Sequence, residues 1–512
     1  MKYKVLLTTS GIGSRLGELT EFTNKSLVRV GDKPAISHIL DQYSKDIEVV
    51  VTLGYYGDQV RDFLNLVYPN RKFTFVWVDN YKGEGSCQGL SMIQAKSHLQ
   101  CPFIFNSCDT IVKYDLIPKP ETNWVIGSKE ESNDQYRTID KIGNTLFRFK
   151  DKGEGLSKDL AYIGICGIND YEKFWQEIKE DSQSDCEPIN AMIEGGSLFT
   201  ISETKNWIDI GSSSKLKIAK ETIGSEIDVL DKPEENIYQI EDEIIKFFYD
   251  SSISFDRVVR ADNYLQGITP NVIAAVGGFY KYKKVKGKPL SKTINEDRTR
   301  SFLRWALKYL WEPVDTDLKN FKSSCDTFYL KKTLQRVEKL QESINIRDKN
   351  EVINNRDCKK VSSIIEELSK SNLLSNGIPC NFHGDCVPDN IIDEGDKFTI
   401  IDWRQNFGDS LTGDVYYDLA KFNHGMTFDI VSSENFTLDS ADSGVEVDIF
   451  RSDKLERCRK VLYDFLREND YDIKKVEILT AIIWINMAPL HEGDLKRFLF
   501  YFGKFYLNKY VS

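Results

Sequence analysis

The sequence predicts an α/β protein in two parts: a doubly wound sheet over residues 1–228 and a two-lobed α+β domain over residues 233–512. Three observations carry this. At 512 residues the chain exceeds what one ordinary core fills, so more than one domain is expected. The first half alternates apolar strand runs with amphipathic helical runs, the pattern of a parallel sheet covered by helices on both faces. The second half holds a polar loop, Phe382–Asn390, then a hairpin and an apolar run, Phe398–Ile401, that ends in Asp402.

Composition narrows the function classes. Hydrophobic residues make up 41% and charged residues 29%, as in a soluble globular protein rather than a disordered one. The net charge of −11, with no long basic stripe, argues against nucleic acid as a partner. The N-terminus turns polar at Thr8, too early for a signal peptide, and no apolar run reaches the ~18 residues of a membrane span. The ten cysteines include no Cys-x-x-Cys pair, which argues against a zinc site or disulfide framework and for reduced thiols in the cytoplasm.

In chain order, Val5–Leu7 is read as a buried strand that runs straight into Thr9-Ser10-Gly11-Ile12-Gly13-Ser14-Arg15. Glycines at a strand end let backbone amides approach phosphates, here Gly11, Gly13 and Ser14. The loop is neither a dinucleotide fingerprint, since Leu16 takes the third glycine's place, nor a Walker loop, since no Gly-Lys-Ser/Thr closes it. Helices are expected at 36–43 and 55–66, and strands at 47–52 and 73–78. The glycine-rich stretch Asn80–Gly89 offers Ser86 and Gln88 for a nucleotide base. Phe103–Ser107 delivers Asp109 at a strand end, and Trp207-Ile208-Asp209 comes just before a helix that Ser212 or Ser213 can cap.

The glycine loop, Asn24-Lys25-Ser26-Leu27 and Val30-Gly31-Asp32-Lys33-Pro34 together resemble the signature of nucleotidyltransferases that make sugar-nucleotides and CDP-alcohols. The resemblance covers about residues 1–225 and implies a Rossmann-like fold. It makes Arg15 and Lys25 the cations that neutralise charge as pyrophosphate leaves, and Asp109 and Asp209 the ligands of Mg2+. Two departures are visible: Thr9-Ser10 replace the usual alanines, and Cys108 precedes Asp109.

After Asp228–Asn236, a polar stretch read as the join, Ile237–Ile240 and Glu243–Phe248 read as a hairpin presenting Lys246 toward nucleotide phosphates. No glycine-rich covering loop is visible, and the helix acid to pair with Lys246 is left open between Asp256 and Asp262. Residues 272–290 read as a strand and an inter-lobe hinge, and 297–376 as mostly helical. Asp385 and Asn390 stand five apart on one loop, with Asp402 on the next strand. Phosphoryl transfer to a hydroxyl needs this set: a carboxylate to orient the acceptor, and an amide and second carboxylate for Mg2+. His-Gly-Asp and Asp-Trp, where protein kinases have His-Arg-Asp and Asp-Phe-Gly, resemble the aminoglycoside phosphotransferase and choline kinase families, a protein-kinase-like fold. That resemblance makes Asp418, in Asp418-Leu419-Ala420, a structural brace of the loop. Trp484–His491 is read as a helix closing the acceptor pocket.

Two transferase signatures on one chain imply consecutive steps: ATP phosphorylates a small hydroxylated metabolite, and the phosphomonoester is joined to a nucleoside triphosphate with release of pyrophosphate. The Gly-Ser-Arg and Asn-Lys-Ser-Leu wording is closer to phosphocholine cytidylyltransferases, which favours CTP and an amino-alcohol for capsule or lipopolysaccharide decoration. The alternatives are a sugar acceptor converted to a UDP- or GDP-sugar, and one domain acting as a silent nucleotide binder.

Overall fold

Val5, Leu6 and Leu7 have no exposed surface, and the strand they form lies inside the first sheet. In this computed structural model residues 2–113, 117–130, 133–227, 232–342, 346–427, 435–441 and 444–511 are described. The stretch 228–231 at the expected join, and residues 1 and 512, lie outside them. The chain divides into two compact units, residues 1–254 with 273–282, and residues 255–272 with 283–512.

In the first unit the strands are β1 (Lys4–Thr8), β2 (Val49–Leu53), β3 (Phe73–Trp77), β4 (Phe103–Ser107), β5 (Trp124–Ser128), β6 (Thr138–Ile142), β7 (Thr145–Lys150), β8 (Leu160–Ile168) and β9 (Thr200–Thr204). They form one sheet in the order β3-β2-β1-β4-β8-β5-β9-β7-β6. The β3, β2, β1 and β4 strands are parallel, as βαβ alternation requires, and β8 then joins β4 antiparallel. The β1 strand reads Val-Leu-Leu without interruption, Val5 and Leu7 joining one core and Leu6 another, as in a sheet covered on both faces. Helices α1 (Ala35–Leu40), α2 (Gly57–Val67), α3 (Gln88–Ala95) and α4 (Ser213–Ile223) connect or flank these strands. Val60, Phe63 and Leu64 of α2 share one buried core with Val49 and Val51 of β2.

Four further strands, β10 (Glu235–Ile240), β11 (Glu243–Phe248), β12 (Val272–Val276) and β13 (Phe279–Lys283), form a second sheet in the order β10-β11-β13-β12. The hairpin expected around Lys246 is present, with Ile237 opposite Lys246. The compact division falls elsewhere than the sequence boundary at 228–233, for a physical reason. Tyr238, Ile245, Phe247 and Phe279 share the core of α2 and β2, and Phe63 meets both Tyr238 and Phe279 at ring distances of 5.6 and 5.8 Å. Tyr238 also donates its hydroxyl to Leu27 O at 2.7 Å. Shared apolar area and a satisfied buried hydroxyl hold this sheet in the first unit.

The second unit is mainly helical: α5 (Glu296–Tyr309), α6 (Leu318–Cys325), α7 (Lys332–Gln341), α8 (Val361–Ser371), α9 (Val415–Gly425), α10 (Asp453–Glu468), α11 (Ile473–Met487) and α12 (Gly493–Val511). A π-helical turn, Asp326–Lys331, joins α6 to α7. A short hairpin, Glu351–Ile353 with Arg356–Cys358, interrupts the stretch read as helical. The α11 helix is buried on nearly every face, as its apolar sequence demands. Trp484 on it is core: its Nε1 donates to His424 Nδ1 at 2.8 Å, so the expectation of a pocket-closing Trp484 is corrected. The hairpin β14 (Ile391–Asp393) and β15 (Phe398–Ile400) carries the chain from Asn390 to Asp402. Among the described residues no helix is long and apolar enough to cross a membrane.

Candidate active sites

In the first unit, Asn24 organises the loops at the end of β1. It is fully buried, donates to Thr9 O at 2.9 Å and to Tyr55 O, and its Oδ1 accepts from Ser26 N at 2.9 Å, capping the turn that begins with Lys25. Lys25 is thereby aimed along Gly13. A methyl on Gly13 would lie 2.9 Å from Lys25 Cβ, and Gly13 has φ +72°, so this position needs glycine twice over. The Thr9 and Ser10 hydroxyls turn inward, to Thr52 O at 2.7 Å and Ser91 Oγ at 2.9 Å.

Lys25 Nζ pairs with Asp109 Oδ2. Burial opposes both charges, yet each holds the other charged: Asp109 is pulled down to about 2 by Lys25, and Lys25 is raised by Asp109. Asp209 comes alongside because Trp207–Asp209 pairs antiparallel with Thr110–Val112, and its Oδ1 accepts from Gly211 N at 2.7 Å. A methyl on Gly211 would meet Asp209 Oδ1 at 3.0 Å, Asp109 Oδ2 at 3.3 Å and Arg15 Nη1 at 3.9 Å. Arg15, Lys25, Asp109 and Asp209 thus converge. Ser212 caps α4 by accepting from Lys215 N.

Gly11, Gly13, Ser14, Ser86 and Gln88 line a cavity of about 380 Å³ with Arg15, Lys25 and Asp109. The Ser86 hydroxyl bonds Gly83 O within its own turn, and Gln88 Nε2 donates to Asp185 at 3.2 Å. A second hollow of about 170 Å³ adjoins it, with Tyr136, Arg137, Lys152, Tyr162 and Trp207 in its wall beside Asp109 and Asp209. Tyr136 donates to Asp209 Oδ2 at 2.7 Å and meets Trp207 edge-on.

In the second unit, Asp418 fixes the Phe382–Asn390 loop. It accepts from His383 N at 2.6 Å, Gly384 N at 2.7 Å and Trp311 Nε1 at 3.1 Å, and burial pushes it up to about 6 against their pull. Fully buried Arg260 stacks on Phe382 and donates to the carbonyls of Phe382 and Arg404. His383 Nδ1 accepts from Asp385 N at 3.0 Å, so Nε2 carries the proton donated to Ile401 O at 2.7 Å. Burial lowers His383 to about 4, and the ring is a neutral brace.

Asp385 pairs with Lys421 Nζ at 2.8 Å, and Asn390 Nδ2 donates to Asp385 O at 2.9 Å and Oδ2 at 3.2 Å. Burial alone would raise Asp385; Lys421 holds it well below the usual carboxylate range. Ile401 N donates to Asn390 O at 2.9 Å, which fixes the stem of Asp402. Asp402 itself has φ +59°, a conformation that costs a non-glycine residue and is concentrated at functional sites. Trp403 is buried, donating to Arg257 O at 2.8 Å.

The structure brings Asp385, Asn390, Asp402 and Asp418 to one loop system, and Lys246 lies buried on β11 of the other unit. Sequence reasoning missed Lys421, although its i,i+3 relation to Asp418 puts both on one helix face. It also missed Arg260, Tyr136, Arg137 and Lys152, whose places depend on long-range packing. Among the described residues no three His, Cys, Asp or Glu side chains are grouped to hold a metal. Each site offers two oxygen-bearing side chains, Asp109 with Asp209 and Asn390 with Asp402. This suits a hard divalent ion completed by substrate phosphates and water.

Residues 238–437 match the Phosphotransferase enzyme family. The N-terminal half is similar to the Bifunctional protein GlmU of Methanococcus vannielii, 23% identical over 219 residues, covering 40% of this chain and 51% of that protein. The same protein of Methanocaldococcus jannaschii is 22% identical over 243 residues, covering 45% and 57%. The chain spans about half the length of the curated relatives it matches. Among solved structures, UDP-glucose pyrophosphorylase from Acinetobacter baumanii aligns at 14% identity and TM-score 0.38, over 44% of this chain and 94% of that one. The CTP:phosphocholine cytidylyltransferase from Streptococcus pneumoniae aligns at 18% and 0.37, over 44% and 100%. The chain therefore joins two transferase-class regions: an N-terminal region that resembles nucleotidyltransferases, and a C-terminal kinase-like phosphotransferase region.

Proposed function

We propose that the chain performs two consecutive transfers. The acceptor hydroxyl, oriented by Asp385, attacks the γ-phosphorus of ATP; the bond to the β,γ-bridging oxygen breaks, ADP leaves, and the hydroxyl proton passes by way of the Asp385 carboxylate to water. A carboxylate held this far down is a weak base, so its main contribution is orientation within a loose transition state. The resulting phosphomonoester oxygen then attacks the α-phosphorus of a nucleoside triphosphate in the first unit. The α,β-bridging bond breaks and pyrophosphate leaves. Arg15 and Lys25 meet the developing charge, and Arg137 and Lys152 supply cations for the incoming phosphate. Mg2+, held by Asp109 with Asp209 and by Asn390 with Asp402, would screen phosphate charge at each site.

The convergence of Arg15, Lys25 and Asp109 on one glycine-lined cavity, with Asp209 in the wall of the hollow beside it, carries the nucleotidyl half of this reading. CTP is the favoured triphosphate, on the resemblance of the Gly-Ser-Arg and Asn-Lys-Ser-Leu segments to phosphocholine cytidylyltransferases. The product would be an activated head group for surface polysaccharide decoration, made in the cytoplasm. The test is pyrophosphate release by the full chain with each of the four nucleoside triphosphates, an acceptor and ATP. CTP-dependent release that requires both ATP and acceptor is expected. Release that needs no ATP-derived phosphomonoester would overturn the two-step scheme, and preference for UTP or GTP with a hexose phosphate would shift it to a sugar-nucleotide enzyme.

A further inference from the structure

The π-helical turn Asp326–Lys331 sits between α6 and α7, and such turns are rare and concentrated at functional sites. It places Phe328 on Phe407 and Tyr417, with ring distances of 4.4 and 4.8 Å. Over the Phe328 ring stand two cations, Lys332 Nζ at 4.2 Å and Arg404 Cζ at 5.0 Å. Arg336 is one turn on from Lys332, on the same face of α7, and half-buried like it. Lys421 closes the group from α9 and is the partner of Asp385.

Elsewhere in this unit buried cations have anions or, for Arg260, backbone carbonyls. Lys475 lies 3.4 Å from Asp414, Arg459 3.0 Å from Glu477, and Lys504 pairs with Glu351. Lys332 and Arg336 break that pattern: among the described residues neither makes a hydrogen bond or ion pair. Half-buried cations with no anion beside them carry part of the cost of leaving water, so an arrangement that gathers them around a single carboxylate suits a further anion.

We infer that Lys332, Arg336 and Arg404 form a subsite for an anionic group on the acceptor, so that the kinase half phosphorylates a short hydroxylated compound carrying a carboxylate or phosphate. The inference rests on the kinase reading of Asp385 and deepens it. A neutral polyol gains nothing from three cations, and a quaternary ammonium alcohol is repelled by them. The low proton affinity of Lys332, which burial and its neighbours Arg404, Arg336 and Lys421 push down to about 6, agrees with a cluster of cations that favours an anion. The anion restores its charge.

The experiment measures ADP release by the full chain with four probes: glycerate, glycerol phosphate, glycerol and choline. Asp385→Ala marks true acceptor-dependent turnover. The expected result is Asp385-dependent turnover with an anionic probe, at a kcat/KM about tenfold or more above glycerol and choline. Glycerate against glycerol phosphate tells carboxylate from phosphate. Lys332→Met and Arg336→Ala should each raise the KM for that probe about tenfold while changing kcat far less. Lys339→Met, an exposed lysine on the same helix, should leave it alone. Folding is checked separately: without ligand Lys332→Met should melt no lower than the parent, and it should lose the rise in Tm that the anionic probe gives the parent. Asp385-dependent turnover that prefers glycerol or choline, or a KM indifferent to Lys332→Met, overturns the anion subsite and leaves the kinase reading standing. No Asp385-dependent turnover with any probe overturns the kinase reading and the subsite with it.

Discussion

Asp385 sits between two partners that pull it in one direction: Lys421 holds its charge and Asn390 holds its orientation. Asp385→Ala should therefore lower acceptor-dependent ADP release by about 10²–10⁴-fold with little change in melting temperature. Rates equal to the parent would contradict the assignment. In the proposed scheme Lys25 has the equivalent place in the first unit, and Lys25→Gln would remove both a charge at the leaving pyrophosphate and the partner of Asp109. Loss of about 10²–10³-fold in pyrophosphate release is expected, read with saturating triphosphate to separate it from binding. Lys332 gives a prediction about stability. Its folded value of about 6 lies below the 10.5 of an exposed lysine, so the unfolded chain binds more protons between those values. Stability should rise with pH across that window and be lost as pH falls toward 6. Urea titrations at pH 6.5 and pH 9 should show the rise in the parent and a smaller one in Lys332→Met; equal slopes would count against the burial of this charge.

At the scale of elements, both sites are held by short backbone devices. The Asn24 cap sets the Lys25 turn, and Gly13 clears a path for the Lys25 side chain. Gly13→Ala combines a left-handed φ with a contact far inside van der Waals distance, so a cost of about 1–3 kcal/mol is expected. Pyrophosphate release should fall more than ADP release does, since the second unit contains no part of this loop. Equal loss of both activities would indicate general unfolding. In the second unit the α9 helix braces the loop from one face: Asp418 takes two loop amides and Lys421, one turn on, takes Asp385. His383 adds a link from the loop to Ile401, and so to the strand end at Asp402.

For the whole molecule, the allocation of β10–β13 to the first unit has a consequence for dissection. A fragment beginning at residue 233 would carry Tyr238, Ile245, Phe247 and Phe279 without the α2 and β2 side chains that bury them. Each such aromatic or aliphatic side chain left exposed forfeits about 1.5–3 kcal/mol. A fragment of residues 233–512 should therefore melt well below the full chain or aggregate. A soluble fragment with an unchanged Tm would show that the shared core contributes little.

The sequence by itself determined the chemistry on offer. Asp385 and Asn390 five apart, Asp109 and Asp402 at the ends of apolar runs, and Gly13 ahead of Arg15 are local patterns. They were legible because a strand's burial and a loop's polarity are written in consecutive residues. The βαβ alternation of the first sheet's parallel strands and the hairpin around Lys246 followed from the same short-range periodicity. Tertiary structure decided the rest. Lys421, Arg260 and Arg404 reach the Asp385 loop from separate elements, and Lys332 and Arg336 acquire meaning only beside Phe328 and Arg404. The sheet that looks, in sequence, like the start of the second domain packs its aromatic face into the first unit's core. These outcomes depend on which buried surfaces meet and which charges are left without partners. Those are sums over residues far apart in the chain, and no window of sequence contains them.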